Sequence, residues 1–282
     1  MRYPFLKGHG TENDFVLLPD HDGSVHGDLP VARVRALCDR RAGIGGDGVL
    51  RVIRCSSPLL EEGALRLTRH HVADDLPEWF MDYRNSDGSL AEICGNGLRV
   101  FARHLYDEGL VPAGEPVPIA TRSGVQTVTR DGDMFTVDVG LAQIHGETKV
   151  AVADRSWTAT HVVVGNPHAV ALVDDLAQAG SLVEEPAYDE GLFPDGVNVE
   201  FVVRKGPEHI AMRVHERGAG ETRSCGTGAC AAALATLGSG AQSAGRWLVD
   251  VPGGTLTVSR DDAGHVYLTG PAEIVARGET DL

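Results

Sequence analysis

Ser224-Cys225-Gly226-Thr227-Gly228-Ala229-Cys230 runs directly into Ala231-Ala232-Ala233-Leu234-Ala235. The glycines suit a tight turn in which backbone approaches something closely. The alanines are the strongest helix formers. Cys225 is therefore predicted at, or just before, a helix N-terminus. Free N–H groups and the helix dipole favour an anion there, either a thiolate or the carboxylate of a small molecule. A lone cysteine in this setting reads more readily as a buried structural thiol ahead of an apolar helix. A second copy of the pattern reverses that reading.

Cys94-Gly95-Asn96-Gly97 opens another stretch, residues 98–105, with apolar side chains at helical spacing. Asn13-Asp14-Phe15-Val16-Leu17-Leu18 parallels Asn166-Pro167-His168-Ala169-Val170-Ala171-Leu172. Asp47-Gly48-Val49-Leu50-Arg51-Val52 parallels Asp195-Gly196-Val197-Asn198-Val199-Glu200-Phe201. Three correspondences in one order indicate an internal duplication. They predict two similar domains related by a pseudo-twofold axis, each presenting one cysteine at a helix N-terminus toward a shared cleft.

The chain has 282 residues, the length of one large domain or two ordinary ones. A hydrophobic content of 42% is enough for a sizeable core. The 40 acidic residues outnumber 25 Lys and Arg, and the net charge of −15 argues against a nucleic-acid or anionic membrane surface. It leaves room for an anionic small molecule, which a few local N–H groups can bind. Five cysteines exclude a complete intramolecular disulfide framework. Cys38 and Cys55 lie in no motif and read as core or surface thiols. The first ten residues lack the apolar run of a signal peptide, and nothing approaches the roughly 18 apolar residues of a membrane span. A cytoplasmic protein with reduced thiols is the expectation.

Local patterns predict a short strand over residues 1–6, a turn over 9–14 and a strand over 15–18. A helix follows over 30–41, then a Gly-rich turn over 43–48 and a strand over 49–53. Residues 56–77 are irregular and read as a surface insertion, and the adjacent His70 and His71 there are weak evidence for a metal. Residues 117–139 read as antiparallel ribbons. In the second half, 161–164 reads as a strand, 165–168 as a turn and 169–173 as a strand. Further strands are predicted over 247–251, 255–259 and 265–269.

Two thiols facing one another suit a particular chemistry. One, as thiolate, takes a proton from a carbon, and the other, as thiol, returns one to the opposite face. That inverts a stereocentre. The N–H groups of two helix starts would hold the adjacent carboxylate and stabilise charge as it develops. A redox pair usually has the spacing Cys-x-x-Cys, and these cysteines lie in separate halves. Zinc would need a second ligand at short spacing from Cys94, and none stands there. Cys225 and Cys230, five apart on a helix, point to different faces. A pyridoxal mechanism needs a Schiff-base lysine, and Lys7, Lys149 and Lys205 lie in no convincing cofactor motif.

Together with Gly43-Ile44-Gly45, Asn85-x-Asp87-Gly88-Ser89, Gly165-Asn166-Pro167-His168, Glu216-Arg217-Gly218-Ala219-Gly220-Glu221-Thr222 and Pro252-Gly253-Gly254, these motifs resemble those of the diaminopimelate epimerases over nearly the whole chain. The resemblance implies an α+β fold of two pseudo-symmetric domains, each a mostly antiparallel sheet wrapped around a central helix. Residues 1–138, completed by 271–282, would carry Cys94, and residues 139–270 would carry Cys225. It implies interconversion of LL- and meso-diaminopimelate by a two-base thiol mechanism, without cofactor or metal, serving lysine and peptidoglycan-precursor synthesis. A small-molecule substrate and a homodimer are the implied partners.

The resemblance also implies site residues. Cys94 and Cys225 would be the acid/base pair, with His168 and Glu216 tuning them. Backbone N–H groups at Gly95, Asn96, Gly226 and Thr227 would hold the reacting carboxylate. Glu216, with the Arg217 backbone, would bind the reacting ammonium. Asn13, Asn85, Asn166, Asn198 and the Arg217 side chain would hold the distal end. A doubly zwitterionic substrate calls for many neutral amides and few charges, which fits this set. The chain departs from the pattern at Glu12, where Gly is common, and at Gly46 and Gly48, where some members carry larger residues, one of them a substrate-side Gln. A proline or hydroxyproline racemase would share the two thiols but needs an apolar pocket around a ring. A binding protein would not need the thiols.

Overall fold

The computed structural model describes residues 2–61, 76–237 and 244–282. Most of the 56–77 stretch, His70 and His71 included, lies outside the described residues. The chain divides into two units, one formed by Met1–Val137 with Pro271–Leu282 and the other by Asp138–Gly270.

The first unit contains β1 (Tyr3–Gly10), β2 (Asn13–Pro19), α1 (Val31–Cys38), β3 (Gly48–Arg54), α2 (Pro58–Glu61), β4 (Trp79–Asn85), α3 (Gly95–Asp107), β5 (Val117–Thr121) and β6 (Gly124–Asp131), and it ends within β7 (Met134–Leu141). The second contains β8 (Gln143–Val152), β9 (Arg155–Val164), β10 (Asn166–Leu172), β11 (Ala187–Tyr188), β12 (Asn198–Gly206), β13 (His209–Glu216), β14 (Gly220–Thr222), α4 (Gly226–Thr236), β15 (Gly245–Val251), β16 (Gly254–Arg260) and β17 (His265–Pro271). β18 (Glu273–Thr280) then pairs with β1 and so belongs to the first unit.

The two units repeat one topology. Along β18-β1-β2-β3-β4-β5-β6-β7 the pairings are antiparallel, antiparallel, parallel, antiparallel, parallel, antiparallel and antiparallel. Along β8-β9-β10-β12-β13-β15-β16-β17 the same sequence of directions recurs. Parallel neighbours need a crossover connection. Helix α3 crosses between β4 and β5, and α4 crosses at the equivalent place between β13 and β15. The duplication read from the motifs is thus a duplication of strand order as well.

Each sheet curls around its crossover helix. α3 packs against β1, β2, β3, β4, β6 and β18, while α4 packs against β9, β10, β12, β13, β15 and β16. Every residue of α4 is buried, which explains its composition: a helix covered on all sides is apolar all round. Small alanines let Val162, Met212, Val214, Trp247 and Leu256 close on it. α3 buries one charge, Arg99, whose Nε donates to Pro271 O at 3.2 Å and ties down the start of the C-terminal segment.

Several boundaries differ from the local reading. β1 extends to Gly10 and β2 begins at Asn13, so the turn shrinks to Thr11 and Glu12. Both have positive φ, 52° and 61°. That region costs glycine nothing, which is why Gly suits the position that Glu12 holds here. The helix over 30–41 stops at Cys38 because Asp39 leaves helical geometry, with ψ at 120°. The turn over 165–168 reduces to Gly165, since Asn166 already pairs with Val164. β8 and β18 lacked a strand signature because most of their residues are exposed, and backbone pairing to β9 and β1 defines them instead. Cys38 and Cys55 are both buried, and burial pushes each thiol up to about 11.

Candidate active site

Cys94 and Cys225 occupy equivalent places. Each is extended, with φ of −145° and −118°, and each caps the helix that follows. The Gly97 N–H donates to Cys94 Sγ at 3.3 Å, and the Gly228 N–H donates to Cys225 Sγ at 3.3 Å. A sulfur that accepts a bond normally given to Ser or Asp at a helix start lies at the positive end of the dipole. A side chain in place of either glycine would crowd its neighbours. A Cβ on Gly97 would lie 3.2 Å from Leu50 Cδ2, and one on Gly228 would lie 2.7 Å from Glu200 Oε1 and 3.2 Å from Cys225 Sγ.

Around Cys94, the thiol donates to Asn13 Oδ1 at 3.6 Å, and Asn96 Nδ2 donates to the same oxygen at 3.1 Å. Asn13 Nδ2 in turn donates to Asp47 Oδ2 at 2.7 Å. Three of the sequence-predicted residues, Asn13, Cys94 and Asn96, therefore meet directly. Arg40 bridges Asp14 and Asp47 at 2.7 and 2.6 Å. Burial drives the Asp14 carboxyl up, but its bonds to Arg40 and Lys7 outweigh that and hold it well below the carboxylate range. Asp47 moves the other way, raised by burial and by the neighbouring Asp14 charge. Asn85 stands apart from this set: it ends β4 opposite Gly48, and its side chain donates to Ser89 Oγ at 3.0 Å. Gly48 admits no side chain, because a Cβ would lie 2.5 Å from Arg84 O and 2.7 Å from Tyr83 Cε2. A larger residue has no room at this position.

Around Cys225, Thr227 Oγ1 lies 3.6 Å from the sulfur. His168 is fully buried, with Nδ1 at 2.7 Å from Glu200 Oε1 and Nε2 at 2.9 Å from Asn166 Oδ1. Asn198 Oδ1 accepts from the Arg217 N–H at 2.9 Å, and the Arg217 side chain donates to Asp195 O at 3.0 Å. Glu216 ends β13 and accepts a hydrogen bond from the Thr222 hydroxyl. Burial is the largest influence on Cys225 and raises its pKa well above the ordinary value. The charges of Glu216 and then Glu200 add to this, against the bonds from Thr227 and the Gly228 N–H. Burial and these charges thus favour the thiol over the thiolate at Cys225.

Asp47 and Glu200 are among the residues of these clusters that carried no assigned role in the sequence. Asp47 orients Asn13, and Glu200 bonds His168. Glu200 did leave a signal: it is a single charge inside Val197-Asn198-Val199-Glu200-Phe201-Val202-Val203. Such a strand is covered on both faces, so a charge within it needs a partner.

The family model for diaminopimelate epimerase matches residues 5–145 and 160–275. A diaminopimelate epimerase of Streptomyces coelicolor is 53% identical over 99% of this chain and 96% of its own length. One of Thermobifida fusca is 48% identical, over 99% and 98%. Among solved structures, a phenazine biosynthesis protein of the PhzF family from Bacillus anthracis superposes with a TM-score of 0.70 at 13% identity, over the full length of both chains. A hydroxyproline epimerase from Agrobacterium vitis gives 0.65 at 16%, over 99% of this chain and 92% of its own. At these identities the two structures share the fold alone. The matched helix-capping cysteines, the duplicated strand order and the full-length sequence matches converge: the chain belongs to the diaminopimelate epimerase family.

Proposed function

We propose that this protein is an isomerase that interconverts LL- and meso-2,6-diaminopimelate, using Cys94 and Cys225 as its two acid/base groups and no cofactor. The observation that carries the reading is the equivalence of the two cysteines, each capping a crossover helix and accepting an N–H bond on sulfur. A thiolate takes the α-proton, and the other thiol returns a proton to the opposite face of the carbon. The first-turn N–H groups at Gly95, Asn96, Gly226 and Thr227 face the reacting carboxylate and stabilise charge as the α-carbon loses its proton. Glu216 and the Arg217 backbone take the reacting ammonium. Asn13, Asn85, Asn166, Asn198 and the Arg217 side chain take the distal end. His168 and Glu216 set the charge around the thiols. The protein would serve lysine and peptidoglycan-precursor synthesis in the cytoplasm as a homodimer. Among the described residues, no helix is long and apolar enough to cross a membrane.

The test is incubation of the reduced enzyme with LL-diaminopimelate in deuterium oxide. Meso product with deuterium at the inverted carbon is expected, and its absence refutes the reading. Cys94→Ala and Cys225→Ala should each lose at least about 100-fold in kcat, the low end of what one positioned acid or base contributes. Full turnover by either variant refutes the two-base scheme.

A further inference from the structure

Glu200 has no part in the mechanism above, yet it lies at the centre of the Cys225 cluster. It is fully buried on β12, between Val199 and Phe201, and its Oε1 packs against the first turn of α4 beside Gly228. Its other oxygen, Oε2, is buried without a hydrogen-bond partner among the described residues. An acid in that state costs stability, and an apolar side chain of similar size would serve packing better. Residues that break a local rule in this way tend to serve function.

We infer that Glu200 is a positioning residue, which holds the His168 ring and through it fixes which end of the Asn166 amide is offered to substrate. The chain of contacts is short. Glu200 Oε1 faces His168 Nδ1 at 2.7 Å, and His168 Nε2 faces Asn166 Oδ1 at 2.9 Å. Oxygens stand at both ring nitrogens, so the ring donates on both sides, and the buried carboxylate balances its charge. With Oδ1 committed to His168, Asn166 is left with its NH₂ for another acceptor. An amide fixed in that sense donates to a carboxylate. Without the Glu200 charge the ring keeps one proton. Nε2 then becomes an acceptor, the amide turns over, and an oxygen meets the substrate carboxylate instead. This inference rests on the epimerase reading for its substrate, but its first step concerns the free protein alone.

The experiment has two arms. In the ligand-free wild-type protein, nitrogen NMR of ¹⁵N-histidine-labelled material should show both His168 ring nitrogens protonated between pH 6 and 8. A singly protonated ring overturns the inference. In the second arm, Glu200→Gln should raise KM for LL-diaminopimelate about tenfold, beyond any change in kcat from the charge lost beside Cys225, because Asn166 binds ground and transition states alike. A purely structural role would lower the folded fraction and leave KM unchanged, so a folded Glu200→Gln with wild-type KM also overturns it. Should that variant not fold, the wild-type ring spectrum decides alone. A wild-type protein that fails to exchange the α-proton refutes the epimerase reading without altering the ring result.

Discussion

Asn13 donates to Asp47 at 2.7 Å, and that bond decides which end of its amide meets Cys94. With Nδ2 taken by the carboxylate, Oδ1 is the atom left to receive the Cys94 thiol and the Asn96 amide. Asp47→Ala frees the amide to turn. Misplacing a group at a reacting centre by about 1 Å can cost on the order of 100-fold. The expected loss in kcat/KM for diaminopimelate is therefore about 10- to 100-fold. The melting temperature should change little, since Asp47 is partly exposed. Unchanged steady-state kinetics would show that Asn13 is held by other contacts.

The Cys225 thiol lies in a buried and negatively charged setting, facing Glu216 on β13 and Glu200 on β12, with His168 on β10 bonded to Glu200. Its alkylation by iodoacetamide, followed by mass spectrometry of the Cys225 peptide, should reach half-maximal rate above pH 9.0. Glu216→Gln removes a charge that opposes the thiolate, so the midpoint should move to lower pH. An upward or absent shift would mean that the Glu216 charge does not reach the sulfur.

His104 and His26 are both buried, and burial lowers each to about 4 from the ordinary 6.5. A depressed folded-state pKa means that the stability linked to each group is fully present above pH 6.5. It is lost as pH falls toward 4, where the unfolded chain binds a proton that the folded one refuses. Each contributes on the order of 3 kcal/mol at 1.36 kcal/mol per pH unit. Urea midpoints should therefore fall steadily from pH 6.5 to 4. His104→Leu should flatten part of that slope, and an unaltered slope in the variant would assign the acid sensitivity to other groups.

The resemblance implies room for a longer side chain at Gly48, but Arg84 O and Tyr83 Cε2 stand 2.5 and 2.7 Å from the place of its Cβ. Gly48→Gln should push β3 from β4 and destabilise by about 1–3 kcal/mol, the usual cost of overpacking. The denaturant midpoint measures it. A variant as stable as wild type would show that the two strands separate at little cost.

The catalytic candidates, the duplication and both helix starts were legible in the sequence because they are local. Gly-rich turns before apolar helices, and motifs repeated in one order, are written in neighbouring residues such as Cys94-Gly95-Asn96-Gly97 and Cys225-Gly226-Thr227-Gly228. The partners of those candidates were not legible. Asp47 reads as a turn acid until strand pairing brings it to Asn13, 34 positions away. Glu200 reads as one charge in an apolar strand until the parallel pairing of β10 with β12 brings it to His168. β8 and β18 are strands only because β9 and β1 lie beside them. Short-range periodicity reports which face of an element is apolar. Which buried charge meets which amide depends on long-range pairing, and the tertiary structure alone decided that.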